Sequence, residues 1–159
     1  MPTSQMLAKA FARNLKIIEA QTDGLSHQDS LVQVPGTNCL NWVLGHLAEY
    51  RDQVLAMLGE APALGEESAR YRRGSDPVTG DGPGVIPLGR LLAALQEGQE
   101  RISAALAALP EEALGEEQTV GDRRLTLEER LHFAYFHDTY HTGQTELLRA
   151  AAGRTDKVL

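Results

Sequence analysis

The chain of 159 residues has a single cysteine, Cys39, so no disulfide can form within it. The amino terminus Met1-Pro2-Thr3-Ser4-Gln5 lacks the charged and apolar regions of an export signal, and a cytoplasmic location is the expectation. No stretch approaches the roughly 20 consecutive apolar residues that span a bilayer, so a soluble protein without a membrane partner is expected. Dense Lys/Arg patches are missing too, and the formal charge is −7, which argues against a phosphate-backbone footprint. No nucleic-acid partner is expected. Aromatic residues make up only 5% of the chain, and runs of Val, Ile and Thr are scarce, which disfavours a fold built on sheets.

What is present favours helices: Ala, Leu, Glu, Gln and Arg are abundant. The length suits one domain over residues 1–159 with a real core. From about Ser4 to Gln21, Leu7, Ala10, Phe11, Leu15, Ile17 and Ile18 recur at three- and four-residue intervals, the mark of an amphipathic first helix stopped by Asp23-Gly24. Thr37 or Asn38 is placed to cap a second helix running to about Leu58, with Gly59 beyond it. Residues 60–86 concentrate Gly and Pro and read as a long irregular connection, either a lid or binding loop or plain flexible chain. Pro87 suits the first turn of a third helix that continues to Pro110. Thr126-Leu127-Glu128-Glu129 has the form of a capping box for a fourth helix ending near Ala152, and Val120–Leu125 could form a short hairpin before it. The fold class expected is all-α, an up-down four-helix bundle with a long crossover loop between helices 2 and 3.

Among five histidines, three suggest chemistry. His137 and His141 are four apart on the fourth helix, separated by about 40° of rotation and about 6 Å of rise, so their rings can converge on one ion. His46 on the second helix supplies a third nitrogen, and the coordination positions left over could take water or substrate. A pair four apart is weak evidence alone. It gains weight because both members fall on the expected inward stripe of Phe133, Ala134, His137, His141, Gln144, Thr145 and Leu148, where an unpaired imidazole is costly to bury. The matching stripe on the second helix is Cys39, Trp42, Val43, His46, Tyr50 and Gln53. Gly45 and Gly143, each beside a ligand candidate, could let the two backbones approach closely.

Neighbouring residues invite further expectations. Gln144 and Tyr50 each lie one turn from a histidine and could orient a ligand or simply pack. Trp42 reads as a packing residue or pocket wall, and Cys39 as a buried apolar one. His27 and His132 read as solvent-facing bystanders. Arg70, Arg72 and Arg73 form the one basic cluster near a pocket mouth, either to meet carboxylates or as a solvated loop edge. Asp138 stands where a zincin has its general base, but it is shorter and turned about 100° from the ligand face, so it is expected behind the ligands or at the surface. Peptidase activity is not expected.

The motifs Asn41-Trp42-Val43-Leu44-Gly45-His46-Leu47 and His137-Asp138-Thr139-Tyr140-His141-Thr142-Gly143-Gln144, with their wide separation and the helix order, resemble the DinB/YfiT-like family of metal-binding four-helix bundles. The resemblance covers nearly the whole chain and implies that the family's three metal histidines fall on His46, His137 and His141. It implies a divalent transition metal, zinc or nickel first and iron or manganese as alternatives. The family is functionally mixed: thiol S-transferases and isomerases using small thiols such as bacillithiol or mycothiol, suspected metal-dependent hydrolases, and proteins without a known substrate. The resemblance therefore favours a small-thiol S-transferase in stress response or detoxification acting on a small-molecule substrate. The alternatives are a metal-dependent hydrolase and a non-catalytic metal-binding or structural bundle. Dimerisation is common in the family, although no exposed stripe in this sequence singles out a homodimer interface.

Overall fold

The computed structural model describes residues 3–158. Its four long helices are α1 (Ser4–Thr22), α3 (Leu40–Met57), α4 (Leu88–Ala108) and α6 (Leu127–Ala151), with short helices α2 (His27–Ser30) and α5 (Glu111–Leu114) in the connections. The strands β1 (Glu117–Val120) and β2 (Arg123–Thr126) form the hairpin ahead of α6, paired antiparallel with Glu117 opposite Thr126. Gly121 takes φ +60° at the first position of its two-residue turn, a conformation an L side chain rarely adopts. The capping box is present: the Thr126 hydroxyl accepts from the Glu129 amide, and the Glu129 carboxylate accepts from the Thr126 amide. The second long helix is capped differently from expectation. Cys39 occupies the cap without a side-chain bond to the helix, its thiol turned instead toward the Val78 carbonyl at 3.4 Å.

The all-α bundle has its long crossover between α3 and α4, and the contacts show why that connection is long. α1 packs on α4 and α6, and α3 packs on the same two, so α1 and α3 sit at opposite corners. Asn41 donates to the Ile86 carbonyl and Arg51 reaches Leu95 and Gln99, so residue numbers rise together and α3 runs parallel to α4. Asn14 bonding Asp138, with Arg149 bonding the Gln21 carbonyl, makes α1 parallel to α6 in the same way. The directions are thus up, down, down, up rather than strictly alternating. Parallel neighbours cannot be joined by a tight turn, and residues 58–87 carry the chain back along the bundle.

That return path is structured. It contains a 3₁₀ helix, Gly65–Tyr71, whose start is tied down by Asp52 of α3: the carboxylate accepts from the amides of Ala63, Leu64 and Gly65. Tyr71 is fully buried, its hydroxyl donating to Asn41 Oδ1 and accepting from the Ile86 amide. Leu64, Tyr71, Val78 and Ile86 join the α3 and α4 side chains in one of two core clusters, so the connection is part of the core. His27 also serves this packing. Its Nδ1 accepts from the Leu88 amide, satisfying one of the free N–H groups that open α4, and Nε2 lies 3.5 Å from Asp81. It is a structural residue rather than a bystander.

The inward face of α6 differs from the expected stripe. Leu127, Leu131, Ala134, Asp138, Thr142, Thr145, Leu148 and Arg149 are buried, whereas Phe133 is 59% exposed. The line of burial runs through Asp138, and His137 and His141 flank it half-buried. Asp138 meets Arg51 of α3, also buried, in the centre of the bundle.

Candidate metal centre

His46 from α3 and His137 and His141 from α6 come together, each offering a nitrogen within 4.8 Å of the others. His46 Nε2 and His137 Nε2 are 3.1 Å apart. Two nitrogens bound to one ion at about 2.0–2.1 Å, at angles between 90° and tetrahedral, lie roughly 2.9–3.4 Å apart, so this spacing fits a shared ion. The antiparallel course of α3 against α6 makes the convergence. His46 meets His141 while Tyr50, one turn further along α3, stacks on His137, one turn back along α6, so the numbers run in opposite directions and His46 faces both histidines.

Two of the rings are fixed by hydrogen bonds. His46 Nδ1 lies 2.9 Å from the Tyr71 carbonyl, which can only accept, so Nδ1 carries the proton and Nε2 keeps its lone pair. His141 Nδ1 lies 2.7 Å from Gln144, whose oxygen accepts in the same sense. His137 Nδ1 is buried without a hydrogen-bond partner among the described residues. Its ring is held instead by stacking on Tyr50, with centroids 3.9 Å apart and planes at 25°. Trp42 stacks on His46 at 4.9 Å and anchors its own Nε1 on Ser75 of the crossover. Trp42 and Tyr50 therefore hold the rings of the cluster, and Cys39 is buried as a small apolar residue, as expected.

The electrostatics keep the imidazoles neutral. Burial is the largest cause in each case: it lowers the pKa of His46 and His141, and with the adjacent His141 and His46 it pushes His137 down to about 4. Neutral imidazoles are the form that binds metal. The donor set thus fits a divalent transition metal, and the three histidines could hold one.

Two cavities open on the cluster. One, of about 460 Å³, is largely aromatic, with Trp42, Phe133, Phe136 and Tyr140 beside all three histidines. The other, of about 370 Å³, shares His46, His137, Arg73 and Phe133 with it and adds Tyr50 and the charged or amide side chains of Glu49, Gln53 and Arg72. A larger space of about 630 Å³ next to the hairpin contains none of the three histidines, although exposed His132 borders it. The arginine cluster divides: Arg70 folds back onto the Asp76 and Pro77 carbonyls, and only Arg72 and Arg73 face a cavity. Neither glycine admits a helix backbone. At Gly45 a Cβ would stand 2.1 Å from the Tyr71 ring, and at Gly143 it would meet nothing within 4 Å.

A helical bundle with a histidine cluster between two facing helices defines a class, the α-bundles that could bind a metal in their interior. The chain belongs to the DinB superfamily, whose family model matches residues 6–145. In structure it is similar to the conserved protein of locus from Enterococcus faecalis, known from a crystal structure. The TM-score is 0.76 at 18% identity, over 97% of this chain and 99% of the other. At that identity the likeness shows the shared fold. No curated protein matches the sequence.

Proposed function

We propose that His46, His137 and His141 hold one divalent transition metal and that the chain is a metal-dependent DinB-like enzyme transferring a low-molecular-weight thiol to an electrophile. The observation that carries this reading is a three-imidazole cluster which no fourth His, Cys, Asp or Glu joins among the described residues, and which opens on two cavities. A structural ion usually has four protein ligands, whereas three leave a position for a reacting group. When bound, such a metal lowers the pKa of a coordinated thiol or water, which supplies the nucleophile. The chain's own residues do the rest. The Tyr71 carbonyl and Gln144 keep Nε2 of His46 and His141 free, and Trp42 and Tyr50 hold the rings. Phe133, Phe136 and Tyr140, largely exposed on the rim of the aromatic cavity, offer apolar surface on which the carbon skeleton of an electrophile can pack.

Zinc or nickel suits the imidazole set, and iron or manganese is an alternative. In this reading residues 1–159 act as one domain, in the cytoplasm, in detoxification or stress response. Metal analysis of the purified protein, with turnover of an aryl halide in the presence and absence of cysteine or bacillithiol, tests the proposal. The expected result is one metal per chain, lost on His46→Ala, and conjugation that needs both metal and thiol. Turnover of ester or amide substrates without thiol would point to a hydrolase instead. A large loss of thermal stability in His46→Ala with no turnover in the parent would mark a structural clasp. Failure to take up any metal would remove the basis of the reading.

A further inference from the structure

Glu49 lies one turn along α3 from His46, is 8% exposed, and borders the smaller cavity that His46 and His137 also border. Both its oxygens face the Gln53 side-chain amide, at 2.9 and 3.0 Å, and no cation pairs with it among the described residues. Arg72 and Arg73, exposed on the crossover and lining the same cavity, pair with no acid among the described residues. Burial raises its pKa, while the Gln53 amide and the charge of Arg72, near but not in contact, pull it part of the way back down. One covered anion beside two uncommitted cations presents both signs of charge to whatever enters. That pattern disfavours a dianion such as phosphate, which the arginines would attract but the carboxylate would repel. It suits a ligand that itself carries both signs.

We propose that this cavity binds the charged head of a zwitterionic aminothiol, with Glu49 and Gln53 taking its ammonium and Arg72 and Arg73 its carboxylate. The sulfur then faces the side bordered by His46 and His137. The sulfur's role rests on the thiol-transfer reading, while the recognition of charge does not need the metal. Glu49 and the arginine pair are in this view specificity residues, selecting the thiol by its substituents.

The test uses two sets of probes on the full chain. Cysteine, cysteamine without the carboxylate, and 3-mercaptopropionate without the ammonium are titrated calorimetrically into zinc-loaded protein. The S-methyl ethers of the same three are titrated into chelator-treated protein and followed by NMR. In both sets the zwitterion should bind about tenfold more tightly than either singly charged analogue, the worth of one charge-assisted contact. Glu49→Gln, which keeps the size and the acceptor for Gln53, should erase the advantage over the analogue lacking ammonium and leave the other intact. The double variant Arg72→Ala with Arg73→Ala should do the reverse. Equal binding of all three probes, or preferences that both variants leave unchanged, overturns the inference. Metal content of the same samples separates the two ideas. Full metal loading with no charge preference defeats only this inference. A charge preference in protein that never takes up metal supports it and defeats only the thiol-transfer reading.

Discussion

Arg51 and Asp138 form a two-pronged ion pair across the middle of the bundle, Nε to Oδ1 at 2.8 Å and Nη2 to Oδ2 at 3.1 Å, with both side chains sealed from solvent. Asn14 donates to the same carboxylate and Gln99 accepts from the same guanidinium, so one polar knot ties all four long helices together. Either partner alone would be a bare buried charge. Arg51→Met or Asp138→Asn should cost about 3–5 kcal/mol in urea unfolding, and replacing both with apolar residues of similar volume should cost less than either. Single variants as stable as the parent would show that the knot contributes nothing to folding.

The two glycines beside the histidines should respond in opposite ways. Gly45→Ala drives a methyl into the Tyr71 ring and should destabilise by about 1–3 kcal/mol, and it should also weaken metal binding because Tyr71 orients His46. Gly143→Ala adds a methyl in open space within a helix and should stabilise by about 0.5–1 kcal/mol. Thermal melts of the two variants decide the matter, and a fall in both would contradict the assigned contacts.

The pH dependence of the metal-free protein follows from its lowered histidines. An unfolded imidazole titrates near 6.5, while His137 in the fold titrates at about 4, with His46 and His141 lowered in the same direction. Between those values the unfolded chain holds more protons, so stability should drop as pH falls from about 6.5 towards 4. Glu49, raised by burial, acts in the opposite sense above about 4.5. Melting midpoints of chelator-treated protein across this window should show the decline, and His137→Asn should flatten it. A slope that His137→Asn leaves untouched would place the responsible group elsewhere.

Gln144 offers a milder probe than any histidine. Its carbonyl oxygen fixes the His141 tautomer at 2.7 Å, so Gln144→Leu should weaken metal affinity by about 10–100-fold while the bundle stays folded. Competition with a calibrated chelator measures this. Unchanged affinity would reduce Gln144 to a packing residue.

Much of the architecture could be read from local chemistry. The Thr126/Glu129 box, Gly24, Gly59 and Gly153 at helix ends, and the turn at Gly121 depend on residues close together in sequence. The i, i+4 spacing of His137 and His141 was legible in α6, and the stripe of His46 in α3, but their meeting depends on the antiparallel contact of α3 and α6, which a strictly alternating bundle does not contain. The burial of α6 did not follow, because that helix reverses the usual pattern. Its inner face carries Asp138, Thr142, Thr145 and Arg149, and its outer face Phe133, Phe136, Tyr140 and Leu147, so apolar periodicity points to the wrong side. The partner that makes Asp138 a core residue stands 87 positions away, beyond any local signal. Glu49 escaped notice for a related reason: its setting comes from Arg72 and Arg73 on a different segment. For Gly45, only the fold of the crossover reveals the ring of Tyr71 against it.

The strap that allows two neighbouring rods to point the same way also grips one imidazole by its backbone. Tyr71 is the clasp, locked at its hydroxyl by Asn41 and Ile86 and holding His46 with its carbonyl. Fraying of residues 64–86 therefore releases His46, and an ion that binds through His46 should resist the fraying in equal measure, since the linkage is reciprocal. Loading with zinc should slow amide exchange along the whole strap, well beyond the ion's own neighbours, and identical exchange with and without zinc would show the two to be uncoupled.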